Sequence, residues 1–230
     1  MDLSRQNLTE LPDLSDVVVK GSFICHCNKL TSLQGAPKEV GGNFSCSSNQ
    51  LTSLEGAPKK VGGSFSCSYN ELTSLEGAPK KVGGDFLCYN NKLTSLDGAP
   101  EEVGGYFECS HNQLTSLEGA PQTVGGGFYC SNNELTSLVG VPQVKNGKTI
   151  KCDNSLGEKY GFSDSSYSGI PYEDLCKSPL YRSEEAMNRV RIKQQQEQMQ
   201  QQEQMQQQQE KINAEFSQWL KDNPTKPTRE

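Results

Sequence analysis

Apolar material is scarce in this chain. Hydrophobic residues make up 33% of its 230 positions and the mean hydropathy is -0.69, against about 45–50% apolar in ordinary globular domains. A single compact core is hard to build from so little. No apolar run approaches the ~20 residues that a membrane helix needs. A basic excess is also missing: 22 Lys and Arg face 28 Asp and Glu, for a net charge of -6. This argues against a nucleic-acid partner held mainly through phosphates. There is one tryptophan and there are two histidines. No G-x-S-x-G, H-E-x-x-H, Walker or dinucleotide-binding motif occurs, so none of the corresponding hydrolase, metalloprotease or nucleotide chemistries is indicated. Met1-Asp2-Leu3-Ser4-Arg5 lacks the basic-then-apolar pattern of a secretory signal, and a cytoplasmic location is expected.

What the chain does have is self-similarity, which takes precedence over other readings. Leu30, Leu51, Leu72, Leu93, Leu114 and Leu135 stand 21 residues apart, and Leu33, Leu54, Leu75, Leu96, Leu117 and Leu138 follow in the same register. Asn28 to Asn133, Pro37 to Pro142 and Phe23 to Phe128 form further columns at that spacing, and a cysteine follows each Phe by two residues, from Cys25 to Cys130. Phe44 and Cys46, two apart, share one face of a strand. The Asn is placed to satisfy backbone groups where the chain leaves that strand. The two leucines close the core from the next side. Gly-Ala-Pro then turns the chain back and disfavours a helix.

The unit Phe44-Ser-Cys46-Ser-Ser-Asn49-Gln-Leu51-Thr-Ser-Leu54 resembles the leucine-rich-repeat signature L-x-L-x-x-N-x-L-x-x-L, with Phe and Cys in the first two apolar places. The likeness is to the short class found in bacterial effector proteins and covers residues 1–156. It implies a β-rich leucine-rich-repeat solenoid, with a parallel concave sheet and an extended or irregular convex side. Effectors of this class often carry a C-terminal ubiquitin-ligase domain. The roughly 75 residues that follow the solenoid here are too few and too glutamine-rich for one. Compact arrays of near-identical units also resemble those of phage and large-virus proteins. That likeness implies a host target, with location in host cytoplasm or virion, or an accessory role in a particle.

Asn7-Leu8-Thr9-Glu10-Leu11-Pro12 reads as a degenerate first unit, and Asn146-Gly147 as a turn with a register change or small hairpin. Residues 157–181 are expected to cap the last rung, through Phe162, Tyr167, Ile170, Tyr172 and Leu175, with one short helical turn over Pro171–Cys176. Beyond them, Ser183-Glu184-Glu185 looks like a helix N-cap with acids in the first turn. A long Gln-rich helix is expected over 182–222 and a disordered terminus over 223–230. Ile212, Phe216, Trp219 and Leu220 fall on one face of this helix. They either dock a partner or fold back on the protein; coiled-coil self-association is a further option, though the heptads are poor.

The cysteines invite a metal or redox reading. Rungs of a parallel sheet lie about 4.8 Å apart, whereas bridged Cβ atoms want about 3.8 Å. Inward cysteines beside Phe fit core packing. Cys25-His26-Cys27 offers too few ligands for a closed zinc site. Glu108-Cys109-Ser110-His111 suggests a nucleophile only if Cys109 is exposed. No cofactor, metal or catalytic residue is therefore expected.

Outward strand positions are the better candidates. The early rungs show small polar residues, including Ser22, Asn43, Ser64, Ser68 and, later, Ser110. The later rungs gather Tyr69, Leu87, Tyr89, Tyr106 and Tyr129, edged by Asp85, Glu108 and His111. Exposed aromatics with a polar rim are what protein-binding patches use, although tyrosine is also simply favoured on strands. The function expected is a non-catalytic interaction module for a protein partner, with the tail docking or tethering. The rivals are an accessory structural part of a larger assembly and a cysteine- or metal-dependent enzyme.

Overall fold

The computed structural model describes residues 1–145 and 147–222, and only the backbone of Phe216 and of 219–222. Residues 1–183 and 184–230 form separate compact units. The first contains a stack of 21-residue turns, a β-solenoid built on two parallel sheets.

In each turn the Phe-x-Cys segment contributes a two-residue strand, and its register partner is the same column one turn away, as in Phe44↔Phe65 and Phe65↔Phe86. Strands Phe23–Ile24, Phe44–Ser45, Phe65–Ser66, Phe86–Leu87, Phe107–Glu108, Phe128–Tyr129 and Thr149–Lys151 run parallel, and antiparallel Ile170–Pro171 closes the far edge. The Phe rings are fully buried and stack in sequence, with centroids 5.1 Å apart at Phe44–Phe65 and 5.8 Å at Phe23–Phe44. Leu51, Leu54 and their equivalents fill the rest of the core.

The opposite side is not irregular. It carries a seven-stranded parallel sheet made of Val18–Val19, Glu39–Val40, Lys60–Val61, Lys81–Val82, Glu102–Val103, Thr123–Val124 and Gln143–Val144. Its buried Val column, Val40 to Val144, supplies β-branched side chains that suit a half-buried pleat. Identical units bring the same donors and acceptors into register turn after turn. Two glycine columns allow the close stacking. Gly56 lies at φ +86° in the Leu-Glu-Gly-Ala-Pro turn, where a Cβ would strike the backbone of Leu33. At Gly62 a Cβ would drive into the carbonyl oxygen of Gly41 in the preceding turn.

An asparagine ladder closes each turn on the next. Asn49 Nδ2 donates to the carbonyls of Cys25 at 3.1 Å and Cys46 at 3.0 Å, while its Oδ1 accepts from the Leu30 N–H at 3.0 Å. The residue before each Asn is left-handed: Cys27, Ser48, Tyr69, Asn90, His111 and Asn132 have φ between 54 and 56°.

Beyond Gly147 the ladder resumes in parallel at Thr149–Lys151, so the chain makes no hairpin there; Asn146 itself lies outside the described residues. Helices α1 (Asn154–Lys159) and α2 (Tyr172–Leu175) belong to the cap. Ile170 and Leu175 are buried as expected, and Phe162 and Tyr172 pack partly against the core. Tyr167 is 81% exposed and covers nothing. Tyr160 takes its place: its hydroxyl accepts from the Leu138 N–H at 3.0 Å. In inner turns the same N–H, that of Leu75 for instance, bonds to the following turn.

Helix α3 runs Pro179–Asp222. Ser183 is inside it and not its cap, because Pro179 can open a helix where its missing N–H costs nothing. Within 184–222 the helix carries its own side-chain pairs, such as Arg189–Glu185 at 2.7 Å and Gln209–Asn213 at 3.1 Å. No helix of the described residues is long and apolar enough to cross a membrane.

Candidate partner-binding face

Three columns alternate with the core-facing Phe and Cys columns across the Phe-bearing sheet. The first runs Ser22, Asn43, Ser64, Asp85, Tyr106; the second Ile24, Ser45, Ser66, Leu87, Glu108, Tyr129, Lys151; the third His26, Ser47, Ser68, Tyr89, Ser110, Ser131. The first is partly structural. Ser22 Oγ accepts the Asn43 N–H, Asn43 Oδ1 that of Ser64, Ser64 Oγ that of Asp85, and Asp85 Oδ1 that of Tyr106 at 2.8 Å. Asp85 therefore anchors the next turn as well as edging the aromatic patch. The same ladder accounts for the second glycine of four Gly-Gly pairs, Gly42, Gly63, Gly84 and Gly105. At Gly105, for example, a Cβ would collide with Asp85 Oδ1.

The aromatic residues assemble in two pairs. Tyr69 and Tyr89 meet edge to face with centroids 5.4 Å apart, and Tyr106 and Tyr129 lie tilted at 5.4 Å. Tyr69 and Tyr106 are exposed, while Leu87, Tyr89, Glu108 and Tyr129 are half-buried. Tyr69 and His111 are not on the strands. They occupy the left-handed position beside the sheet, since each strand has ended three residues earlier. Ser68 and Ser110 are buried rather than outward, at 1% and 6% exposure. They flank Tyr89 in its column, and a large ring one turn away shades a short side chain.

The sequence reading missed Lys151. It follows Tyr129 in the second column, and its Nζ lies 5.2 Å from the centre of the Tyr129 ring, a cation–π arrangement. Glu108, His111, Ser131, Asn132 and Lys151 line a shallow cleft beside Tyr129. The signal was the column itself, hidden by one extra residue near Gly147. Asn132 Nδ2 reaches His111 Nε2 at 3.3 Å. Partial burial, then Tyr106 and Glu108, raises the Tyr129 phenol above its ordinary range.

The cysteine column is core. Cys25, Cys46, Cys67, Cys88, Cys109, Cys130 and Cys152 are buried, and burial pushes the Cys25 thiol up to about 12. Five of these thiols point at carbonyls of the next turn, as Cys109 Sγ does to Tyr129 O at 3.3 Å. Cys109 is fully buried beside exposed His111 and offers no accessible thiolate. Among the described residues no three His, Cys, Asp or Glu side chains group to hold a metal ion.

On α3, Ile212 is 50% exposed. Phe216, Trp219 and Leu220 continue the helical backbone, but their side chains lie outside the described residues. Comparison with models of known families, with curated proteins and with solved structures gives no match.

Proposed function

We propose that the chain is a short-unit leucine-rich-repeat protein acting as a non-catalytic module that binds a protein partner. The asparagine ladder and the Leu-x-x-Leu columns support the repeat class. The observation that carries the function is the paired tyrosines Tyr69–Tyr89 and Tyr106–Tyr129, bordered by Asp85, Glu108, His111 and Lys151. Aromatic surface with low side-chain entropy and charge at its rim favours protein recognition. The core ladders are complete without these rings, so packing gives no reason for them. Helix α3 serves as a second docking element or tether. A reading as an accessory part of a larger assembly draws support from α3 alone, whose Met187, Val190, Met199 and Met205 are exposed.

Replacing Tyr89, Tyr106 and Tyr129 together with Ser, and capturing partners from the native source, tests the first reading. We expect the partners of the parent chain to be lost while circular dichroism is unchanged. Retention of the same partners would remove the tyrosine face from the proposal. Retention that disappears only when α3 is deleted favours the assembly reading.

A further inference from the structure

The two ends of the solenoid are finished differently. At the C-terminal end α1 and the antiparallel strand Ile170–Pro171 cover the last rung, with Leu156, Tyr160, Ile170 and Leu175 buried. At the other end the valine-bearing sheet stops at an edge strand, Val18–Val19, paired on one side only. Edge strands are usually blunted by charge or proline. This one is not. In the two columns that carry Lys38, Lys59, Lys80 and Glu101, and Glu39, Lys60, Lys81 and Glu102, the edge turn carries Val17 and Val18. They are 39% and 57% exposed. Leu3, Leu8, Leu14 and Val19 in the same turn are only partly buried against the core.

The backbone selects the mode of pairing. The carbonyls of Val17 and Val19 accept from Lys38 and Gly41 of the following turn. Successive residues of a strand face opposite sides, so the Val18 N–H and C=O face the open edge. In an antiparallel pair, a hydrogen-bonded residue exchanges both bonds with the residue opposite. Val18 can do this with Val18 of a second copy, about a two-fold axis normal to the sheet. The flanking sequence is self-complementary about the same point. Asp16, in the turn that the Val17 N–H closes on the Leu14 carbonyl, and Lys20, in the bend after the strand, are both exposed and lie two residues either side of Val18, so a two-fold axis at Val18 brings the acid of each copy toward the lysine of the other. Val17 falls opposite Val19 in the same way.

We propose that this edge joins a second copy of the chain head to head, continuing the sheet across an isologous contact and covering the partly exposed leucines of both first turns. The full chain is the material for the test, with its mass followed by sedimentation equilibrium across a dilution series. A dimer is expected. Val18→Lys should raise its dissociation constant at least about tenfold with circular dichroism unchanged, because Lys60 and Lys81 already occupy that column in other turns. Asp16→Lys should weaken the dimer, and Asp16→Lys combined with Lys20→Asp should restore it. A monomeric parent chain overturns the proposal. So does a dimer indifferent to Val18→Lys and to the charge exchange, which would place association elsewhere, such as along α3.

Discussion

Asn70 shows how much one side chain can hold in a stack of turns. It is 9% exposed. Its Oδ1 accepts from the Leu51 N–H at 3.0 Å, and its Nδ2 donates to Cys46 O at 3.1 Å and Cys67 O at 3.0 Å. Asn70→Ala strands three backbone groups on two successive turns, and each costs about 1–3 kcal/mol. A loss of roughly 3–5 kcal/mol is expected on that basis, read as a fall in the denaturant midpoint. Thr73→Ala, on the exposed surface of the same unit, should stay within about 0.5 kcal/mol of the parent. The Asn column was legible because the spacing repeats. The burial of Ser68 and Ser110 was not, because alternation gives the direction of a side chain and says nothing of the size of its neighbour. Nor did alternation show that Asp85 bonds to Tyr106, since a bond between outward side chain and backbone has no periodic signature.

The ladders act as elements, and the cysteine ladder has a pH signature. Burial raises the thiols from an ordinary value of 9.0, to about 12 at Cys25 and well above 9.0 at Cys46 and Cys88. A folded-state pKa raised above the unfolded one gives stability that is complete below the unfolded pKa and is lost as pH rises toward the folded pKa. Each such thiol forfeits about 1.4 kcal/mol per pH unit in that window. Because the column holds seven buried thiols, the first unit should unfold cooperatively within about two units above pH 9. Replacing Cys67 and Cys109 with Ala should flatten the pH slope of stability between 9 and 11, measured as denaturant midpoints. An unchanged slope would mean that the thiols are not the titrating groups. At this scale the Phe-bearing sheet was readable from Phe-x-Cys, but the valine-bearing one was not. Two residues between a lysine and Gly-Gly give no alternation long enough to read, and only turn-to-turn pairing makes them a strand. The start of α3 at Pro179 was obscured for a related reason: a serine followed by acids imitates a cap.

In the whole molecule, cohesion is local to neighbouring turns. Stability in such arrays is a sum of unit and interface terms. The buried residues that finish the last rung end at Tyr181, and the first compact unit ends at Ser183. A chain stopped after Ser183 should therefore keep the denaturant midpoint of the parent within about 0.5 kcal/mol, checked by tryptophan-independent far-ultraviolet circular dichroism. A larger drop would show that 184–230 contributes to the stability of the solenoid. The solenoid itself was legible at this scale because every column repeats at 21 residues. The candidate face was legible in its tyrosines, but Lys151 was displaced by the extra residue near Gly147. The charged columns beside Val18 concealed the bare edge, since its meaning depends on what the same place holds in every other turn.

The shared register of Phe44, Phe65 and Phe86 across successive turns makes the fold a ruler whose smallest graduation is one whole unit. Inserting or excising a 21-residue block between Phe44 and Phe86 preserves every kind of contact in the stack and changes only the number of turns. Each step shifts the tyrosines relative to the Val18 edge by about 4.8 Å. Unequal recombination between such similar blocks thus offers a way to tune the distance between two surfaces without redesigning either one.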